Sequence, residues 1–488
     1  MPPASPAIGP ARRQAAFSRT PPFFRLCFII KRSTGLGVPR IFRRGAVLAG
    51  FYVLRIERAG LMSCNAFDVL KARGYFEWCT SEDRLREVMQ SEMVTAYVGF
   101  DPTADSLHVG HLIPLMALGW LQRAGHRPIA LAGGGTGLIG DPSGKSKERN
   151  LITLEAVQRN VEGVRKQLAH FLDFDCGKNS ALLLNNYDWL SRMTFLDVLH
   201  DVGKYFSVNN LIAREYIKSR LEDPEKGISY TEFSYVLLQA IDFKHLHDHY
   251  GCKLQMGGND QQGNLLAGTE YIRKTSGGEV FGLTQPLLLT ASGTKFGKTE
   301  AGAVWLDAER TSPYQFYQFW VNADDRDVER LLKLYTFLPL EDVRLLMEEH
   351  AAHPERRVAQ RRLATEVTQR VHGAAAAESV AKVSAVLFDP DVDLSGLSEE
   401  TCLALKREAP CSEAKLSMPA GVLDVLTACS ACASRGEAKR AVRQGGVSIN
   451  GVRVADEGAS IDADQLRYGR YLFVRVGRKK FYVLSVVR

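Results

Sequence analysis

Tyr97-Val98-Gly99-Phe100-Asp101-Pro102-Thr103-Ala104-Asp105-Ser106-Leu107-His108-Val109-Gly110-His111 is the stretch that decides the fold of this 488-residue chain. It begins as a short apolar strand, turns through Asp101-Pro102-Thr103, and its pattern predicts a helix entered at Leu107. His108 and His111, three apart with Gly110 between them, would then share one face near the helix N-terminus. Unpaired backbone N–H groups and the positive end of the helix dipole favour an anion there, and glycine lets it approach closely. Two imidazoles add hydrogen-bond donors aimed at the same place. A His-x-x-His pair standing alone is more simply a packing or surface feature. Behind a strand and an Asp-Pro turn it points to phosphate handling without a metal-ligand cage.

Working outward, Asn65–Arg73 and Ser81–Gln90 read as short helices leading into a strand at Val94–Phe100. Downstream, Pro128–Ala132 is a buried-strand run that ends in Gly133-Gly-Gly-Thr-Gly-Leu-Ile-Gly-Asp141-Pro-Ser-Gly-Lys145. Glycines at the end of a parallel strand are where α/β sheets place ligands. The GxxxxGK[ST] spacing is absent, so this is not a P-loop. Alternating strand and helix patterns imply βαβ units and a mostly parallel sheet. Residues 187–228 interrupt them as a mainly helical insertion.

Tyr230–His249 reads as one long helix, with Tyr235, Gln239 and Asp242 on one face. A tyrosine, an amide and a carboxylate there would be costly in a dry core. A polar small-molecule pocket explains them, the other reading being a satisfied structural network. Leu254–Gln261 is an apolar strand ending in a Gly257-Gly258 turn, where Asp260 is a natural acceptor for ribose hydroxyls. Gly293-Thr-Lys295-Phe-Gly-Lys298-Thr299 is a flexible loop with two lysines three apart, which alone would be a solvated basic turn.

A chain this long holds two to four domains, and 45% hydrophobic with 24% charged residues is globular composition. Its net charge of +7 is uneven. Residues 1–61 carry eleven Lys+Arg and one acid, and 418–488 carry twelve Lys+Arg and six acids. The middle, 62–417, holds 39 Lys+Arg against 48 acids, a net −9. An acidic body with basic ends suits an RNA partner held by appendages. The nine cysteines are scattered, and Cys429-x-x-Cys432 has no second pair at zinc-site spacing, so both read as packing residues in a reducing compartment. Of His245, His247 and His249 only the first and last share a helical face, and a solvated helix end accounts for them better than a metal. No metal site is expected.

Residues 1–61 are Arg-rich and Pro-rich, and their apolar patches, Leu26–Ile30 and Val47–Leu54, are too short to span a bilayer. They read as a disordered extension, either an organelle transit peptide or residues upstream of a true start at Met62. Pro313 to Ala409 is helical in pattern, 410–419 reads as a Pro/Ser-bearing linker, and 420–488 reads as a small α+β unit. There Val422–Ala433 and the basic Glu437–Gln444, with Lys439, Arg440 and Arg443, are helices, and Asn450-Gly451 marks a hairpin. Arg475 to Lys480, with Arg478, Lys479 and Lys480, adds a basic cluster.

The YVGFDPTADSLHVGHL stretch resembles the nucleotide-binding signature of class I aminoacyl-tRNA synthetases, specifically the tyrosyl enzymes of bacteria and organelles, and KFGKT resembles their second signature. The resemblance covers roughly 65–488. It implies an α/β fold: a Rossmann-like parallel-sheet catalytic domain over 62–312, a helical anticodon-side domain over 313–409, and an S4-like RNA-binding domain over 420–488. The insertion supplies much of the dimer interface in that family, so a homodimer is implied. The implied activity is that of a tyrosine–tRNA ligase, using ATP with Mg²⁺, L-tyrosine and tRNA(Tyr). By the same resemblance His108, His111, Lys145, Arg149, Lys295, Lys298 and Thr103 are catalytic. Tyr97 and Asp242 bracket the phenolic hydroxyl, Asp141, Tyr235 and Gln239 hold the ammonium, and Gln261 meets the carboxyl. Gly99, Asp101, Gly258, Asp260 and Thr299 join the histidines and lysines at ATP.

The resemblance departs at two positions: many relatives have Cys where this chain has Val98, and Trp where it has Gln262. The first removes a hydrogen-bonding group near the ribose. Two alternatives stand beside the tyrosyl reading, a tryptophanyl enzyme and a non-catalytic RNA-binding or splicing factor on a synthetase body. Cytoplasmic location is expected, or a mitochondrial or plastid matrix if 1–61 is a transit peptide.

Overall fold

The computed structural model of the chain describes residues 65–143, 152–222, 227–291, 293–294, 296–299, 302–477 and 480–487. Lys145, Arg149, Lys295, Arg478, Lys479 and the extension 1–61 lie outside them. Asn65 caps helix α1 (Ala66–Arg73) by accepting from the Phe67 N–H, and Gly74, at φ 92°, ends it in the left-handed conformation. Strand β1 (Trp78–Cys79) and helix α2 (Glu82–Ser91) lead to β2 (Thr95–Phe100). After the Asp-Pro turn come α3 (Leu112–Arg123), β3 (Arg127–Ala132), α4 (Leu154–Leu168) and β4 (Leu182–Asn185). The insertion follows as short helical pieces between Tyr187 and Leu221. Then α5 (Tyr230–Tyr250), β5 (Cys252–Gly258), α6 (Gln262–Ser276) and β6 (Phe281–Gln285) complete the sheet.

The six strands lie in the order β1-β6-β5-β2-β3-β4, all parallel except β1. The chain runs outward from β2 through β3 and β4, then returns to β5 on the other side. The crevice at the C-terminal end of β2 is therefore the topological switch point where such sheets bind ligands. Period-two alternation assigns the β2 side chains to two layers. Ala96, Val98 and Phe100 enter the main core, while Tyr97 packs with Ile129, Leu131, Phe243 and Leu246 on the opposite face.

A two-stranded hairpin, β7 (Lys298–Thr299) with β8 (Gly302–Ala303), follows the sheet. Helix α7 (Pro313–Val321) starts from a Ser312–Gln315 capping box with Pro at its first turn. Helices α8 (Val328–Tyr335), α9 (Leu340–Ala352), α10 (Val358–His372), α11 (Ala374–Phe388) and α12 (Glu399–Glu408) complete the helical segment. Its Phe316, Trp320, Leu331, Leu363 and Val367 belong to the same apolar cluster as Val98, Leu112 and Leu118. The expected boundary near 312 thus changes chain pattern without dividing the core.

The stretch read as a linker, 410–419, contains strand β9 (Cys411–Lys415). Next come β10 (Ala420–Gly421), α13 (Val422–Ala428), α14 (Arg435–Arg443), β11 (Val447–Ile449), β12 (Val452–Arg453), β13 (Ser460–Ile461), β14 (Tyr471–Val476) and β15 (Lys480–Val487). Strand β9 is an edge of the five-stranded sheet β12-β11-β14-β15-β9, paired parallel to β15. Asn450 (φ 50°) and Gly451 (φ 86°) both take left-handed conformations in the two-residue turn between β11 and β12, as an Asn-Gly hairpin requires. This unit has its own core around Val425, Leu426, Val447 and Leu472, in which Cys429 and Cys432 are buried. Tyr471, Phe473 and Phe481 pack outward on Val383, Val386, Leu387 and Leu405 of the helical segment.

Candidate active site

The histidine pair is built differently from the helix expected at Leu107. His108 is extended (φ −120°, ψ 170°) and caps a single 3-10 turn, Val109–His111, before α3 begins at Leu112. Its Nδ1 accepts from the Gly110 N–H at 3.0 Å, and His111 Nδ1 accepts from the His108 N–H at 3.1 Å. The two side chains thus form a reciprocal capping box, with rings stacked 3.9 Å apart. A Cβ on residue 110 would lie 2.8 Å from His108 Cε1, so any larger residue would push aside the imidazole that folds over it. Burial first, then the neighbouring His108, pushes the His111 pKa down to about 3. A neutral ring is what the capping bond needs.

The stretch just after the second signature pairs with the first signature through backbone. Val109 donates to Val304 O at 2.9 Å, Leu306 donates to Leu107 O at 2.9 Å, and His108 bridges Trp305. Gly297, at φ 85°, is so close that a Cβ would come within 3.4 Å of the Gly110 nitrogen. Lys298 and Thr299 begin the hairpin strand at this contact. Phe296 anchors the loop from behind, among Phe319, Trp320 and Tyr335. A cavity of about 710 Å³ lies on that rear side, between the hairpin and α7 and α8, and not at the histidines.

At the end of β2, Gly99 has nothing within 4 Å of where its Cβ would stand, which leaves open space on the Tyr97 face. Asp101 accepts from the Thr136 hydroxyl at 3.2 Å and from Tyr235 at 3.5 Å. Thr103 donates its N–H to Asp101 O at 2.8 Å and is exposed in the turn. Gly258 is held against Asp260, where a Cβ would meet the carboxylate at 2.6 Å. Val98 is buried in the main core, away from the Tyr97 face.

On α5, Ser229 accepts from the Glu232 N–H and Gly251 (φ 63°) closes the C-terminus, fixing which face meets the sheet. Gln239 donates to Gln261 at 3.2 Å, Gln261 donates to Asp141 Oδ2 at 2.5 Å, and Asn264 donates to Gln239 at 2.9 Å. Asp242 is 2% exposed and accepts from Asn186 Nδ2 and Trp189 Nε1, each at 2.8 Å. Burial raises its pKa to about 7, against the lowering effect of those two donors. The Tyr97 hydroxyl is buried and has no partner among the described residues. Burial first, and then Asp242, holds its pKa well above the usual phenol range. A buried hydroxyl waiting beside a buried carboxylate is a specific demand for a polar ligand atom.

Residues 89–389 match the family model described as class I tRNA synthetases of the tryptophan and tyrosine (W and Y) type. The chain belongs to that family. Residues 405–484 match the SYY-like C-terminal domain of tyrosine–tRNA ligases. The synthetase is 48% identical over 428 residues to the tyrosine–tRNA ligase of Roseiflexus castenholzii, covering 86% of this chain and 99% of that one. It is 46% identical over 416 residues to that of Geobacillus stearothermophilus, covering 85% and 98%. In structure it is similar to a C-terminally truncated mitochondrial tyrosyl-tRNA synthetase of Aspergillus nidulans, with TM-score 0.61 and 33% identity, covering 66% of this chain and 94% of that one.

Sequence reasoning passed over Asn186, Trp189, Thr136 and Asn264. Asn186 joins Asp242 to Thr136 Oγ1 (2.9 Å) and to the Gly135 N–H (2.7 Å), so it ties the glycine loop to α5. The signal was present in Asn185-Asn186-Tyr187-Asp188-Trp189, a polar run at the C-terminal end of a parallel strand. The histidines of α5 also differ from expectation. His245 is not at a solvated end but stacks on Trp189, and His249 stacks on His245. No cluster of metal-ligating residues occurs among the described residues.

On the basic face of the C-terminal unit, Lys439 and Arg443 both pair with Glu457, while Arg440 and Lys480 are exposed. Arg475 points inward instead, donating to Val386 O at 2.6 Å and to Asp389 O at 3.2 Å beyond α11. No described helix is long and apolar enough to cross a membrane.

Proposed function

We propose that the synthetase is a tyrosine–tRNA ligase, and that the unpartnered Tyr97 hydroxyl beside Asp242 reads the substrate's phenol. A tryptophan side chain carries no hydroxyl to satisfy that pair, which favours tyrosine over the tryptophanyl alternative within the same family. Tyrosine enters with its phenol between Tyr97 and Asp242, its ammonium toward Asp141, Tyr235 and Gln239, and its carboxylate toward Gln261. ATP, as its magnesium complex, lies along the crevice beside Gly99, Asp101, Gly258 and Asp260. The tyrosine carboxylate attacks the α-phosphorus, the bond to the β-phosphate oxygen breaks, and pyrophosphate leaves. A hydroxyl of the terminal adenosine of tRNA then attacks the acyl carbon, releasing AMP.

In this scheme His108 and His111 donate to phosphate oxygens, with Thr103 beside them. Lys145, Arg149, Lys295, Lys298 and Thr299 gather on charge that grows as pyrophosphate departs. No protein nucleophile is needed, because positioning and charge stabilisation supply the rate. The exposed Phe195 (64%) and Leu196 (73%) in the insertion favour a second copy of this chain as partner. Lys439, Arg440, Arg443, Arg478, Lys479 and Lys480 are proposed to face tRNA, and free thiols such as Cys176 suit a reducing cytoplasm.

Tyrosine-dependent ATP–pyrophosphate exchange tests the reading directly. Exchange stimulated by tyrosine and not by tryptophan is expected, with tRNA charging in addition. Absence of exchange with both amino acids would leave only a non-catalytic RNA-binding body.

A further inference from the structure

Three aromatic rings are stacked behind the Asp242 carboxylate. The Trp189 indole, whose Nε1–H donates to Asp242 Oδ1 at 2.8 Å, lies nearly parallel to the His245 imidazole, with centroids 4.1 Å apart and planes 13° apart. His249 stacks on His245 at 4.1 Å and 23°, and its Nδ1–H donates to His245 O at 2.9 Å. Both neighbours are near-parallel to one ring at that spacing, so they occupy its opposite faces. Asp242, His245 and His249 fall at i, i+3 and i+7 on α5, one side of the helix.

The two donors to Asp242 are supported unequally. Asn186 is locked by Thr136 and by the Gly135 N–H, as well as by Asp242 itself. Trp189 sits on a four-residue helical turn, Tyr187–Leu190, too short to be rigid by its own hydrogen bonds. Apolar side chains of two clusters pack around its edges, and the ring that lies flat against its indole is His245. A carboxylate bonded on each oxygen by a separate donor can aim its remaining lone pairs only when both donors are fixed.

We propose that His245 is a positioning residue for substrate specificity: its flat face holds the Trp189 indole so that Nε1–H stays on Asp242, which keeps the carboxylate aimed at the substrate's hydroxyl. The inference rests on the tyrosine reading above. It predicts an effect confined to substrates that bear a hydroxyl, because phenylalanine makes no demand on the direction of that carboxylate.

The test is ATP–pyrophosphate exchange by the full chain with tyrosine and with phenylalanine, in wild type, His245→Leu, His245→Phe, Trp189→Phe, and the double variant His245→Leu/Trp189→Phe. Leucine keeps bulk without a planar face, and phenylalanine keeps the face. His245→Leu should lower kcat/KM for tyrosine roughly two- to tenfold, the worth of one stacked ring pair, mainly through KM. Phenylalanine activation should stay within about twofold, and His245→Phe should restore tyrosine. In the Trp189→Phe background, which lacks the indole N–H, His245→Leu should add nothing further. Equal losses for both amino acids, a His245→Phe variant as impaired as His245→Leu, or an undiminished His245→Leu effect without the indole would each overturn the proposal. A wild-type chain without tyrosine-dependent exchange would overturn the activity reading itself, an outcome visible before any variant is made.

Discussion

Replacing Asp242 with alanine separates recognition of a hydroxyl from mere occupancy of the pocket. In the folded chain the carboxylate is 2% exposed and held by Asn186 and Trp189 at 2.8 Å each, with the Tyr97 hydroxyl beside it. A phenol entering this space gives up its bonds to water and recovers them from Asp242 and Tyr97. A hydrogen bond to a charged group is worth about 1.5–3 kcal/mol, and at about 1.4 kcal/mol per decade that is roughly a 10- to 150-fold loss in kcat/KM for tyrosine. Phenylalanine forms no such bond, so its kcat/KM should change far less and the ratio of the two should collapse by most of that factor.

The substitution also strands two buried donors, which costs stability. Circular dichroism and a thermal melt therefore accompany the assay, and Asp242→Asn, close in shape, is the companion variant. The assay is exchange with each amino acid under saturating ATP. A folded Asp242→Ala protein that keeps the wild-type ratio would refute the assignment, because the carboxylate would then not read the hydroxyl.

Four further outcomes follow from the geometry. Burial pushes the Asp242 carboxyl up to about 7, and its ionised form is the stronger acceptor for the phenol O–H, so kcat/KM for tyrosine should rise with pH through about 7. That acidic limb should vanish in Asp242→Asn. Because the folded pKa lies above the unfolded one, Asp242 should contribute stability below about pH 4 that is lost as pH rises through 7, and urea melts of Asp242→Asn against wild type across that window check the sign. Gly110→Ala should lower exchange about tenfold or more with little change in tyrosine KM, because its Cβ, 2.8 Å from His108 Cε1, displaces the ring from the capping box. Arg475→Ala should leave exchange intact, raise proteolysis between α11 and β9, and weaken tRNA charging, since its bonds to Val386 and Asp389 tie the C-terminal sheet to α11. Unchanged proteolysis would show that the apolar contact of Phe473 and Phe481 suffices.

The parallel sheet and its crevice were readable because β2, β3 and β5 are apolar runs closed by Asp-Pro or glycine turns, a pattern set by backbone geometry. Tyr97 and Asp242 stood out because polar groups in apolar surroundings need a reason. Strand β9 did not, since Cys-Ser-Glu-Ala-Lys has no apolar alternation and exists as a strand only by pairing to β15. The 3-10 turn at the histidines was hidden for a related reason. Its cap is a histidine rather than Ser, Thr, Asp or Asn, and nothing local announces that a ring will fold back over its own glycine. Trp189 and His245 come from elements far apart in sequence, and their stacking is a property of packing alone.

The capping box at His108 and His111 also settles a question of proton bookkeeping. Each Nδ1 accepts a backbone N–H, so each neutral ring must carry its one proton on Nε2. A single tautomer is thereby imposed on both imidazoles before any substrate arrives. Neither ring presents a basic nitrogen to the crevice, so the pair cannot take up a proton during the reaction. It can only lend hydrogen bonds. Adenylate formation should accordingly show no His111 ionisation in its rate between pH 5 and 8, and only a small solvent deuterium effect, as expected of a step in which phosphorus changes partners and no proton is in flight.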